Sequence, residues 1–290
     1  MSAFATRFAP SPTGLLHLGH AYSALTAFEA ARAVGGRFVL RIEDIDATRV
    51  RPEFDAALLE DLAWLGLDWE TPVRRQSQHM ADYQAALDRL SAQGLLYRCF
   101  RTRREVLDEI ARAPHGPGED GKGGVFRGQA LPPDAEAELL AAGRPYAWRL
   151  SLVRAREALG GFDQLHFIEE GAGPSGERGR IAADPEIEGD VILARKDVGV
   201  AYHLAVVVDD ALQQISHVIR GEDLFSASHI QVVLQALLGL PTPLYRHHRL
   251  LLGPDGKRLA KRNGAPALQA LRLAGETAAD VRARLGLGAR

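Results

Sequence analysis

The stretch RFAPSPTGLLHLGHAYSALTAFEAARAVGGRFVLRIED, residues 7–44, decides the fold. Phe4 to Phe8, which runs into its start, is apolar enough for a short strand. Pro10-Ser11-Pro12-Thr13-Gly14 cannot continue that strand, because each proline lacks an amide donor. From about Leu16 the apolar residues recur at helical spacing as far as Gly35-Gly36, a glycine stop signal. RFVLRIED then reads as a buried strand ending in carboxylates. A strand–helix–strand opening of this kind predicts an α/β chain with a Rossmann-like, doubly wound parallel sheet. Ligands of such sheets lie beyond the carboxyl ends of the strands, so Pro10 to His20 and Arg41 to Asp46 are expected at one site.

Working outward, amphipathic helices are expected over Pro52 to Leu65 and Gln78 to Ala92. Near Tyr97 the texture changes to short mixed segments, including Ala147 to Leu152 and Leu165 to Glu169. Two glycine-rich stretches, APHGPGEDGKGG (113–124) and GAGPSGERG (171–179), read as flexible loops. Regular apolar patterning returns at Asp190 to Leu193, Tyr202 to Val208 and Ile215 to Ile219, with a helix near Phe225 to Leu238. The expected organisation is a discontinuous Rossmann-like domain, 1–96 and 185–250, interrupted by a smaller α+β insertion, 97–184. A loop and a short helical segment, 251–290, complete it.

The composition is that of a soluble globular protein, 46% apolar and 25% charged over 290 residues, which excludes disorder, collagen and coiled coil. No apolar run approaches the ~18 residues of a membrane span, and the first dozen residues lack a signal-peptide core. Cys99 alone can form neither an internal disulfide nor a thiolate zinc cage. A cytoplasmic protein is expected. The net charge of −2 is unremarkable, but basic residues cluster at Arg101, Arg103 and Arg104, at Arg246 to Arg249, and at Lys257 to Arg262. Only four of the 35 basic residues are lysines, and two of them, Lys257 and Lys261, share the last cluster. A compact ammonium suits phosphate as a point charge.

Four segments carry chemistry. In RFAPSPTGLLHLGH (7–20) a glycine-containing turn runs into a helix whose free N–H groups favour phosphate. His17 and His20 share one face of its first turn, and Gly19 lets a flat group approach the backbone. In RIEDIDATR (41–49) three carboxylates gather at a strand end, where an ammonium group, a ribose or Mg²⁺ could sit. Alternation sets Glu43 opposite Asp44 and Asp46. Arg220 ends another strand; it could hold a carboxylate bidentately or form an ion pair with Glu222 or Asp223. Finally, GPDGKRLAKRNGA (253–265) is a glycine-bounded basic loop that could close over a triphosphate or face RNA.

Together these blocks resemble class I aminoacyl-tRNA synthetases. His17-Leu18-Gly19-His20 is similar to their HIGH signature, and Arg258-Leu259-Ala260-Lys261-Arg262 to their KMSKS loop. RFAPSPTG, RIEDIDATR, YHLAVVVDD and HVIRGEDL resemble the glutamyl branch. Only 28 residues follow Arg262, too few for a helical anticodon-binding domain. The expectation is therefore the glutamyl-queuosine tRNA(Asp) synthetase family. Those enzymes activate glutamate with ATP without tRNA and transfer it to the queuosine base at the wobble position.

The resemblance implies glutamate contacts from Arg7, Phe8, Ala9, Pro10, Ser11, Glu43, Tyr202 and Arg220. It implies ATP contacts from His17, Gly19, His20 and Lys261, with His17, His20 and Lys261 as the catalytic set. L-glutamate, ATP with Mg²⁺, and queuosine-containing tRNA(Asp) are the expected partners of a monomer that contacts no membrane. The KMSKS-like loop departs from the family pattern at Arg258, Ala260 and Arg262. At the family's four zinc-ligand positions stand Cys99, Arg101, Phe126 and Ala130, so no zinc is expected. The alternatives are a truncated glutamyl-tRNA synthetase that charges a tRNA 3′ end, and a catalytically silent tRNA-binding module.

Overall fold

The structure, a computed structural model, describes residues 3–112, 125–195, 199–252 and 266–288. The loop 113–124 and the basic loop 253–265, with Lys257, Arg258, Ala260, Lys261 and Arg262, lie outside the described residues, as do Lys122 and Lys196.

The opening unit is strand β1 (Ala5–Phe8), helix α1 (Leu18–Ala33) and strand β2 (Arg37–Ile42). Strand β1 pairs with β2 in parallel, from Ala5 opposite Arg37 to Phe8 opposite Leu40. Ala21, Ala24, Ala27 and Ala31 on the buried face of α1 are small enough to let the helix lie close to the sheet, with Leu25 and Phe28 filling the remainder. The helix stops where Gly35 takes φ +63 and the Gly36 N–H bonds back to the Ala31 carbonyl at 2.8 Å, a left-handed cap that favours glycine. Helix α2 (Pro52–Trp64) starts with proline in its first turn, followed by Glu53 and Asp55 at the positive end of the dipole. Strand β3 (Arg74–Arg75) adds in parallel to β2, and helix α3 (Met80–Ala92) follows.

The middle of the chain holds strand β4 (Leu96–Cys99), helices α4 (Arg103–Arg112) and α5 (Pro133–Ala141), strand β5 (Ala147–Leu150) and helix α6 (Leu152–Leu159). Strands β6 (His166–Glu169), β7 (Gly179–Ala182), β8 (Ile192–Arg195) and β9 (Gly199–Val200) come next. Helix α7 (Tyr202–Leu212), strand β10 (His217–Gly221), helix α8 (Phe225–Leu238), strand β11 (Leu244–His248), and helices α9 (Leu268–Leu273) and α10 (Ala278–Arg284) complete the chain.

A second sheet runs β10-β11-β6-β7, with β10, β11 and β6 mutually parallel and β7 antiparallel at the edge. It meets β3-β2-β1 where β1 abuts β10: the Ser216 N–H donates to the Ala5 carbonyl at 3.0 Å, and the Ala5 N–H to Ser216 Oγ at 2.8 Å. Chain order reverses at that junction, the position where doubly wound sheets bind ligands. Helices α1 and α2 cover the first sheet. Helices α3, α7 and α8 share a separate core with an antiparallel sheet of order β4-β5-β8-β9.

Sheet membership crosses the expected domain boundary at 184. Strands β6 and β7 belong with β10 and β11, whereas β8 and β9, beyond residue 184, belong to the antiparallel sheet. Alternation shows that a segment can be a strand, not which sheet receives it. The 171–179 stretch is also more ordered than its composition suggests. Gly173 and Ser175 donate to Glu177, and a Cβ at Gly171 would collide with the His247 backbone. Among the described residues no helix is long and apolar enough to cross a membrane.

Candidate active site

The site is built at the β1/β10 junction around a cavity of about 300 Å³. Strand β1 and the turn after it contribute Arg7, Phe8, Ala9, Pro10 and Ser11, and the start of α1 contributes His17, Gly19 and His20. Glu43, Tyr202 and Arg220 complete the expected set. Lys261 lies outside the described residues, but one flank of its loop lines the cavity and the other pairs with a residue of its wall. Leu250 and Leu251 line it, and Ala267 pairs with His17, the Leu268 N–H bonding to the Leu16 carbonyl at 2.8 Å.

His17 is the N-cap of α1: its Nδ1 accepts the Gly19 N–H at 3.1 Å. His20 Nδ1 in turn accepts the His17 N–H at 3.2 Å, and the two rings lie 3.8 Å apart. Because both Nδ1 atoms accept, each neutral ring carries its proton on Nε2. The expected shared face is thus realised as a capping box, with two ring donors beside the helix's positive end.

The two arginines differ in their surroundings. Arg7 is salt-bridged to Asp210, Nε to Oδ1 at 3.0 Å. The same carboxylate takes Arg41 Nη1 at 2.7 Å, and Arg41 Nη2 reaches Glu43 Oε1 at 3.1 Å. Asp209 accepts from Arg74, Gln76 and Tyr83. Against the effect of burial, Arg7 and Arg41 hold Asp210 below the usual carboxylate range. Burial pushes Glu43 above that range, against the pull of Arg41 and Arg7.

Arg220, also buried, donates from Nε to His247 Nε2 at 3.1 Å and from Nη1 to the Tyr202 hydroxyl at 3.3 Å. Its Nη2 donates to the Leu224 carbonyl and to Ser228 Oγ, at 3.0 and 2.7 Å. None of these partners is a carboxylate. The ion pair with Glu222 or Asp223 left open by the sequence does not form; Glu222 accepts the Leu250 N–H instead. Burial, with the Arg220 charge nearby, pushes His203 down to about 4.

The other two carboxylates of the second segment face elsewhere. Strand β2 ends at Ile42, so the expected alternation does not continue through them. Asp44 accepts the Ser77 N–H and hydroxyl at 2.8 and 2.7 Å, and Asp46 caps Thr48. The basic run Arg246 to Arg249 is not one patch, because strand alternation exposes Arg246 and buries His247. Sequence reasoning missed Asp210, Glu169 and His247 as supports of the site, placed Arg41 there without a role, and missed Tyr22, Ser23 and His248 on the cavity wall. His248 Nε2 lies 3.1 Å from Ser23 Oγ. Arg41 stood inside a quoted motif, but nothing local distinguished it.

The family's zinc positions do not fit a metal here. Cys99 is buried with Tyr97, Val106 and Phe126, and the Arg101 and Arg149 guanidinium groups lie over the Phe126 ring at 5.9 and 4.2 Å. A single thiol among carbon neighbours offers one of the four donors that a structural zinc needs. Among the described residues no cluster of three metal-donor side chains occurs.

Residues 3–127 and 175–278 match the family described as tRNA synthetases class I (E and Q), catalytic domain. A glutamyl-Q tRNA(Asp) synthetase of Rhodobacter capsulatus is 47% identical over 97% of this chain and 99% of its own length. Another, of Deinococcus radiodurans, is 41% identical over 96% of this chain and 86% of its own. A crystallised glutamate tRNA ligase of Elizabethkingia meningosepticum, in complex with its amino acid, superposes with a TM-score of 0.70 at 30% identity. The match covers 91% of this chain and 53% of that one, so the chain spans about half the length of that ligase. With the HIGH-like helix cap, the parallel sheet and the cavity at its reversal all in place, the chain belongs to the class I tRNA synthetases of the glutamyl and glutaminyl branch and, within them, to the glutamyl-Q tRNA(Asp) synthetase family.

Proposed function

We propose that the cavity binds L-glutamate and ATP, joins them as glutamyl-adenylate without tRNA, and delivers the glutamate to the queuosine base at the wobble position of tRNA(Asp). The observation that carries this reading is Arg220, a buried cation on the cavity wall whose hydrogen-bond partners are all neutral. An uncompensated buried charge is costly, and a ligand carboxylate compensates it. Glu43, which lines the same cavity, supplies the opposite charge for an ammonium group. A cation and an anion lining one cavity suit an amino acid, and the relatives' names support glutamate.

In the activation step an oxygen of the glutamate α-carboxylate attacks the α-phosphorus of ATP. The bond from that phosphorus to the oxygen bridging to the β-phosphate breaks, and pyrophosphate leaves with the electron pair. No protein nucleophile is required; positioning and charge stabilisation suffice. His17 and His20 donate to the phosphates from Nε2 beside the amino end of α1, and the family resemblance assigns Lys261 to the same phosphates. ATP enters as its Mg²⁺ complex.

Glutamate-dependent ATP–pyrophosphate exchange without tRNA tests the first half. Nuclease mapping of labelled glutamate on tRNA(Asp) tests the second. Label in the anticodon fragment supports the reading. Label on the 3′-terminal adenosine makes the protein a truncated glutamyl-tRNA synthetase, and absence of exchange makes it a binding module.

A further inference from the structure

We propose that Glu169 and His247 are positioning residues: a buried dyad that sets the proton on His247 and thereby fixes the Arg220 guanidinium edge presented to the ligand's carboxylate. This rests on the cavity being an amino-acid site, as proposed above.

The three residues sit on adjacent parallel strands, β10, β11 and β6, with Arg220 directly opposite His247 in register. Glu169 and His247 side chains have no exposed surface, and neither residue lines the cavity. Glu169 Oε1 accepts the backbone N–H groups of Gly171 and His247 at 2.8 and 2.9 Å, leaving Oε2 2.6 Å from His247 Nδ1. Against burial, these bonds from His247 and Gly171 hold Glu169 below the usual carboxylate range. An ionised carboxylate can only accept, so the His247 proton sits on Nδ1. Nε2 is then a lone pair, and it faces the Arg220 Nε–H at 3.1 Å. The opposite tautomer would set one N–H against another.

This arrangement determines what Arg220 has left to offer. A guanidinium has five N–H groups. His247 takes the one on Nε, Leu224 and Ser228 take both on Nη2, and Tyr202 takes one on Nη1. One Nη1–H remains. The Tyr202 oxygen accepts from Arg220, so its own O–H is also left to donate. Together they form a two-donor edge for a carboxylate. Phe225, edge-on at 5.2 Å, and Tyr245, stacked at 6.0 Å, flank the His247 ring, and the absence of a side chain at Gly171 lets its loop close over the dyad. A polar pair sealed in an apolar sheet adds little stability that carbon could not supply, but it provides a directional acceptor for Arg220.

The test uses Glu169→Gln, His247→Phe and His247→Gln in the full-length protein. The side-chain amide introduced by E169Q can donate to Nδ1 and so reverse the tautomer. H247F keeps an aromatic ring but removes the acceptor, and H247Q restores an acceptor. In pyrophosphate exchange, E169Q and H247F are expected to raise the glutamate KM about 10- to 100-fold, the scale of a hydrogen bond to a charged group. The ATP KM and kcat should change little, and H247Q should recover part of the loss. Because a variant could fail to fold, ¹⁵N spectroscopy of His247 in the unmodified protein gives a second readout, with the proton expected on Nδ1. A proton on Nε2, or an unchanged glutamate KM in folded E169Q and H247F, overturns the proposal. If the unmodified protein shows no glutamate-dependent exchange, the substrate reading fails and the carboxylate role with it, whatever the ¹⁵N result shows of the dyad.

Discussion

Arg7 and Arg220 are both buried arginines at strand ends on one cavity, yet they stand in different electrostatic states. Asp210 already neutralises Arg7, while among the described residues no carboxylate bonds Arg220 directly. Arg220→Ala is therefore expected to raise the glutamate KM by at least about tenfold with a smaller effect on ATP, read by pyrophosphate exchange. Glu43 gives a second expectation. Burial holds its proton to higher pH than usual, and pairing with a ligand ammonium requires that proton to leave. Glutamate affinity should rise as pH increases from about 4.5 through the range where Glu43 ionises, because the ligand ammonium remains charged throughout. Glu43→Gln should bind weakly and lose that slope in a KM–pH profile.

At the scale of elements, the amino end of α1 combines a helix cap with a place on the cavity wall. His17 caps the helix through Nδ1 while its ring lines the cavity. His17→Ala should cost about 1 kcal/mol in denaturant unfolding, the usual loss of an N-cap. His17→Asn keeps a capping acceptor, so it should unfold like the parent while exchange still falls. Lys261 is carried by the segment between Leu251 and Ala267, whose flanks meet the cavity and α1. Lys261→Ala is expected to lower exchange kcat about tenfold or more with the glutamate KM nearly unchanged. Equal losses in both constants would place the lysine on the amino acid instead.

The described residues join a parallel half-sheet, a second one that is parallel but for its edge strand β7, and one antiparallel sheet. The region around Cys99, where the family places a metal, is here a small apolar cluster capped by arginine–aromatic contacts. The Tyr97 hydroxyl and the Gly128 N–H both bond to Asp190 beside it, at 2.9 and 3.0 Å. Strong chelators should leave the melting midpoint unchanged, and Phe126→Ala should destabilise by about 3 kcal/mol through the cavity it leaves. One tightly held zinc per chain in metal analysis would refute this account.

Much of this was legible in the chain itself. The turn after β1, the glycine stop of α1, the full extent of α8 and the eleven expected site residues that line one cavity follow from short-range pattern and from motif resemblance. Helix caps and apolar spacing are local properties that a few neighbouring residues impose. The sheet that receives β6 or β8, the neutralisation of Arg7 by a carboxylate 203 residues away, and the Glu169–His247 support beneath Arg220 were decided by the tertiary structure. The reason is physical: a hydrogen bond or ion pair depends on distance in space, and periodicity along a chain reports which face is buried but not what meets it there.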